Sequence, residues 1–89
     1  MKYRFRATRA FWRSFEKLPA EQQRRARQAF VIFKQNPFDS RLRSKVQKLS
    51  ARYARAIYAA EIEADLRVLF YIEGDVVVTV DIGSHALYR

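Results

Sequence analysis

His85 is the only histidine of the chain, and histidine is the side chain whose ordinary pKa lies closest to neutrality. It follows Asp81-Ile82-Gly83-Ser84, where an apolar alternation ends and the chain leaves a predicted strand, the kind of place where functional groups often sit. Arg67 lies inside a strand-like stretch and can fork onto two phosphate oxygens. Tyr88 can stack on a base or donate a proton. Arg43, Lys45, Lys48 and Arg55 add cations, and Tyr71 offers an aromatic face for a base. Cleavage of RNA through its own 2′-hydroxyl needs a group to take that proton, cations beside the pentacoordinate phosphate and an acid for the leaving 5′-oxygen. His85, Arg67, Tyr88, Lys45, Lys48 and Arg55 are candidates for those tasks.

Each candidate has a plainer reading. His85 can be a capping or surface residue, and Arg67 a structural partner of Asp81. Tyr88 can cover the edge of the core, and the lysines can belong to a solvated loop. Arg24, Arg25 and Arg27 read as the wet side of a helix. Other chemistries are poorly served. The chain has no cysteine, so disulfides and thiolate metal sites are out, and one histidine does not make a structural zinc site. There is no glycine loop for phosphate and no nucleophile-elbow serine. No cofactor and no metal are expected.

Eighteen Lys and Arg stand against nine Asp and Glu in 89 residues, a formal charge of +9. So basic a domain attracts polyanions, nucleic acid first among them, because neutralising phosphates releases counterions. An acidic protein partner is the other reading. The basic residues do not gather on one amphipathic helix, which argues against a membrane surface. No apolar signal region opens the chain and no apolar run reaches the roughly 18 residues of a membrane span. A cytoplasmic location is the expectation.

At 49% hydrophobic and 15% aromatic residues, the composition is globular, and residues 1–89 read as one domain with one core. Residues 2–7 alternate as a short strand, with Tyr3, Phe5 and Ala7 on one side and Lys2, Arg4 and Arg6 on the other. Residues 9–17 form a first helix, with Phe11, Phe15 and Leu18 at helical spacing and Thr8 as its cap. Pro19 stops it and opens a second helix over residues 20–35, which Asn36-Pro37 ends. So short a link predicts an antiparallel hairpin. Residues 38–52 are irregular and basic: Arg41, Arg43, Lys45, Lys48 and Arg52 face one acid, Asp39. Three strands follow over about 54–62, 65–73 and 76–83. A three-residue loop at Glu73-Gly74-Asp75 would pair Ile72 with Val76, Phe70 with Val78, Val68 with Val80 and Leu66 with Ile82. That makes one face wholly apolar, toward the helices, and sets Arg67 across from Asp81 on the open face. The fold class is α+β, in the order β-α-α-β-β-β, with an antiparallel-rich sheet and a helical hairpin on one face.

In that order, the sequence resembles the RelE/ParE superfamily of type II toxins along nearly its whole length. The resemblance is carried by the strand and helical hairpin, Phe33-Lys34-Gln35-Asn36-Pro37-Phe38, the basic loop ending in Lys48-Leu49, Leu66-Arg67-Val68-Leu69-Phe70-Tyr71, and Asp81-Ile82-Gly83-Ser84-His85-Ala86-Leu87-Tyr88. It implies a compact microbial RNase fold, an acidic antitoxin that wraps the toxin, and metal-free mRNA cleavage in the ribosomal A site. Arg67 matches the arginine of the central strand. His85 and Tyr88 match the terminal motif of the branch similar to YafQ and YoeB, where an acidic residue usually stands at the position of Ala86. Two other functions share the fold in prospect: a ParE-like, non-enzymatic inhibitor of DNA gyrase, and an inactive basic module that docks an acidic antitoxin.

Overall fold

The computed structural model describes residues 2–47 and 55–84. Strand β1 covers Arg4–Ala7. It turns directly into helix α1, Arg9–Glu16, where the Thr8 hydroxyl accepts the Phe11 backbone N–H at 3.1 Å. This is the cap that the sequence predicts. Helix α2 covers Ala20–Gln35, with extended Pro19 before it and extended Asn36 after it. Between the helices, Gln23 Nε2 donates to the Phe15 and Leu18 carbonyls, each at 3.1 Å. The Phe15 carbonyl also accepts the Leu18 N–H at 3.1 Å, so Gln23 adds a second donor there and closes off the end of α1 at Leu18.

Past α2, the Asp39 carboxylate caps a single 3-10 turn, Ser40–Leu42, by accepting the Arg41 N–H. Leu42 is buried there. Arg43 closes the turn at φ +48, a left-handed conformation that few residues other than glycine adopt. The two-residue strand β2, Lys45–Val46, follows, in a segment where the periodicity predicts no regular element. The remaining strands are β3, Tyr58–Glu63, β4, Leu66–Glu73, and β5, Val76–Gly83.

The five strands form one sheet in the order β1-β5-β4-β3-β2, with β1 parallel to β5 and every other pair antiparallel. The α+β expectation holds, with the short β2 added at one edge. The helices cover one face. Phe33 sits at the centre, 5.0 Å from the Phe70 ring and 5.6 Å from Phe5 between centroids. Phe11, Phe15, Ala26, Leu66, Val68, Val77 and Ile82 complete the main cluster. Among the described residues, no helix is long and apolar enough to cross a membrane.

The β4–β5 register departs from the sequence reading in two steps that cancel in the face presented but add in the pairing. The connection has two residues, Gly74 and Asp75, so Glu73 faces Val76 and Ile72 faces Val77. Gly74 takes φ +63, as the first position of a tight hairpin turn requires. This brings Val77 and Thr79, not Val76 and Val78, to the helical face. A bulge then intervenes, because Phe70 faces Thr79 while Leu69 faces Asp81, leaving Val80 between them. The extra residue returns Ile82 to the helical face, opposite Val68 where the sequence reading had Val80, and returns Asp81 to the open face.

Long-range contacts stabilise the bulge. Thr8 donates its hydroxyl to the Val80 carbonyl at 3.1 Å and its N–H to the Thr79 carbonyl at 3.0 Å. Buried Thr79 donates to the Arg6 carbonyl at 3.3 Å, which offsets the cost of carrying a hydroxyl inward. The same shift overturns the expected Arg67–Asp81 pair. Arg67 faces Gly83, and Asp81 accepts the Ile82 N–H at 2.9 Å.

Candidate nucleic-acid interface

Directly opposed residues on neighbouring strands share a face, so the register lays out the open side of the sheet in rows. One row runs Lys45, Ala59, Leu69, Asp81 across β2, β3, β4 and β5. The next, toward one end, runs Glu61, Arg67, Gly83. On the other side, Tyr71 and Val78 align with Arg6 of β1. Ile57, Ala59 and Leu69 form a second apolar cluster here, against which Tyr71 and Val80 pack. Arg67 and Tyr71, four residues apart on β4, stand roughly 13 Å apart at the usual strand rise.

Arg67 is held firmly. Its Nη1 donates to the Glu63 carbonyl at 2.7 Å and the Ala64 carbonyl at 2.9 Å, and its Nη2 lies 3.9 Å from the Glu61 carboxylate. Its side chain is 15% exposed. The guanidinium thus clasps the β3–β4 turn with one nitrogen and turns the other toward an acid, which leaves Nε and Nη2 as the edge able to meet an anion. The sequence reading named Asp81 as the structural partner. The actual partners are Glu61 and the backbone carbonyls of Glu63, Ala64 and, at 3.5 Å, Leu66, because Arg67 faces Glu61 on β3 and the turn doubles back onto it.

Arg55 and Tyr71 come together. The Arg55 guanidinium lies 4.1 Å from the Tyr71 ring centroid and 3.2 Å from the Glu73 carboxylate. A cation over a ring face is attracted by its quadrupole, so one face of Tyr71 already carries a guanidinium. Lys45 is exposed at the β2 edge and Arg43 is exposed two residues before it. Neither forms a salt bridge among the described residues. Of the eight candidates, Arg67, Lys45, Tyr71 and Arg55 thus meet on or beside one sheet face, and Arg43 adjoins it. Lys48, His85 and Tyr88 lie outside the described residues. His85 comes two positions after Gly83, the residue opposite Arg67.

The sequence reading missed the contribution of Arg6. The alternation of β1 separates Arg4 and Arg6 from Tyr3 and Phe5, but only the parallel pairing with β5 puts Arg6 in a row with Tyr71. The face is not uniformly cationic, since Glu61, Glu73 and Asp81 share it. Its positive groups without a described carboxylate are Arg6 and Lys45.

No family model and no curated relative matches the sequence. Solved structures do. A chain of the archaeal RelE–RelB complex from Pyrococcus horikoshii OT3 superposes with a TM-score of 0.73 at 16% identity, over 98% of this chain and 99% of that one. The Escherichia coli DinJ–YafQ toxin–antitoxin complex matches at 0.73 and 10% identity, over all of both chains. A YoeB/ParE toxin from Agrobacterium tumefaciens matches at 0.68 and 16% identity, over 92% of this chain and 98% of that one. The polypeptide has the fold shared by the RelE, YafQ and YoeB/ParE toxins.

Proposed function

We propose that this chain is the toxin of a toxin–antitoxin pair and a ribosome-dependent mRNA endonuclease. The observation that carries the reading is the likeness to RelE and YafQ along the full length of both chains. It is supported by an open sheet face that groups Lys45, Arg67 and Tyr71. The 2′-hydroxyl attacks the adjacent phosphorus and the 5′-oxygen leaves. The products are a 2′,3′-cyclic or 3′-phosphate and a 5′-hydroxyl. His85 moves the proton as base or acid. Arg67 offers its Nε–Nη2 edge to the phosphate in exchange for the 3.9 Å contact with Glu61. Lys45 and Lys48 hold the flanking backbone, with Arg43 and Arg55 as further phosphate contacts. Tyr71 stacks with its uncovered face, and Tyr88 stacks or donates. A cytoplasmic setting follows from this substrate.

The partner is an acidic antitoxin. The RelE and YafQ relatives were solved with RelB and DinJ, and a charge of +9 favours an oppositely charged protein. Induced expression of the chain alone, followed by mapping of mRNA ends, tests the reading. Growth arrest with codon-linked cuts bearing 5′-hydroxyls, abolished in His85→Ala, supports it. DNA breaks with intact mRNA would assign a gyrase inhibitor instead, and normal growth a binding module; either result overturns it.

A further inference from the structure

The side of the molecule remote from the open sheet face is also cationic, and in an ordered way. On α1, Arg9, Arg13 and Lys17 recur every four residues, so they share one helix face with steps of about 6 Å. On α2, Arg27 and Lys34 are seven residues apart and share the flank toward α1. Arg27 places its guanidinium 5.0 Å from the centroid of Phe15 of α1. Lys34 and Trp12 line the same cavity of about 260 Å³ between the helices and β1.

All five cations are exposed, and none has a carboxylate partner among the described residues. That contrasts with the rest of the hairpin. Glu21 engages both Arg24 and Arg25, and Arg25 also reaches Glu63 at 3.0 Å. Trp12 lines the cavity and is half exposed at its mouth, and Val31 of α2 is exposed as well. A protein-binding surface normally has an apolar, aromatic centre. Here Trp12 and Val31 are the large apolar side chains exposed on the hairpin, against five free cations in two regular rows, and that excess of ordered positive charge suits a polyphosphate.

We propose that the outer face of the α1–α2 hairpin is a second RNA-binding surface that takes the backbone of double-helical RNA. Packed helix axes stand roughly 8–10 Å apart, so the two rows can contact the two strands that flank the narrow major groove of an A-form helix. The molecule is thereby bifacial: the sheet addresses a single strand, and the hairpin grips a structured one. Identifying that duplex as ribosomal RNA rests on the function proposed above; duplex binding itself does not.

The test uses the full chain, a fluorescent 12-base-pair RNA stem-loop and a fluorescent single-stranded RNA, with anisotropy read over a series of salt concentrations. The triple variant Arg9→Ala, Arg13→Ala, Lys17→Ala is expected to bind the stem-loop at least about tenfold more weakly. Its log–log salt slope should fall by about 2 to 3, roughly one for each phosphate no longer neutralised, while single-strand affinity changes less than about threefold. A control triple at Lys2, Arg4 and Arg41 removes the same charge elsewhere and should leave stem-loop binding within about threefold. Equal weakening in both triples, or none in the first, overturns the proposal. So does competition by a polyglutamate peptide as strong as that by unlabelled duplex, which would assign the surface to an acidic protein. If wild-type protein binds the stem-loop as described but cuts no mRNA, the endonuclease reading fails and the hairpin surface stands.

Discussion

Arg67, proposed above to meet the scissile phosphate, has a structural duty in the fold whose size can be worked out. Replacing it with alanine removes two charge-assisted hydrogen bonds of 2.7 and 2.9 Å to the carbonyls of the β3–β4 turn. A net hydrogen bond is worth about 1 kcal/mol, somewhat more from a charged donor. The Ala64 carbonyl lies at an exposed turn and regains water, which trims the loss. The Glu61 contact at 3.9 Å adds little across partly exposed groups. The sum is about 2–3 kcal/mol, or a fall in Tm of about 10–20 °C for a domain of this size. Urea titration followed by circular dichroism measures it directly, with an unchanged m-value as the sign that the loss lies in the folded state. Arg67→Lys should recover less than half, because an ammonium cannot reproduce the planar fork. A loss below about 0.5 kcal/mol in Arg67→Ala would refute the clasp. Should the clasp be as strong as reckoned, failure of Arg67→Ala to cut mRNA speaks to catalysis only at a temperature where the variant is folded.

Three further outcomes follow from the geometry. Phe33→Ala empties the point where Phe5, Phe30 and Phe70 meet and should cost about 3–5 kcal/mol by chemical denaturation; a cost under about 1.5 would mean that the core collapses into the gap. Gly74→Ala places a Cβ at φ +63 with open space around it, so backbone strain alone should cost about 1–2 kcal/mol, and a neutral result would contradict the turn geometry. Hydrogen bonds from the Arg41 side chain and then its backbone N–H lower the Asp39 carboxyl from 3.8 to about 2. A folded pKa below the unfolded one stabilises the protein above the unfolded value and loses that contribution as pH falls, here between about 4 and 2. Asp39→Asn should therefore flatten the acid limb of the stability curve in that window, and an NMR titration midpoint for Asp39 near 3.8 would disprove the pairing.

The helical half of the molecule was legible because its signals are local. Thr8, Pro19 and the Asn36-Pro37 pair mark helix ends through the backbone of their immediate neighbours, and Phe11, Phe15, Ala26 and Phe33 repeat at the period of one helix face. The existence of β4 and β5 and the core-facing side of β4 were likewise plain from alternation. The candidate face was legible in part, since Arg67 and Tyr71 share a side by parity alone.

What tertiary structure decided is everything that depends on pairing between distant segments. In the run from Val76 to Val80, Thr79 is the one polar residue, so the pattern favours Val76, Val78 and Val80 as the inward side. The two-residue turn chose Val77, and the bulge at Val80 reversed the choice in time for Ile82. That bulge is satisfied by Thr8, more than seventy residues away, and no local pattern contains such a contact. The same shift separated Arg67 from Asp81 and gave it to Glu61 and the turn carbonyls. Composition and period therefore determined that this chain would be a basic α+β protein with a helical hairpin on a sheet. Which cations stand free to meet a phosphate was settled by long-range register, because a salt bridge depends on the distance between side chains and not on their separation in sequence.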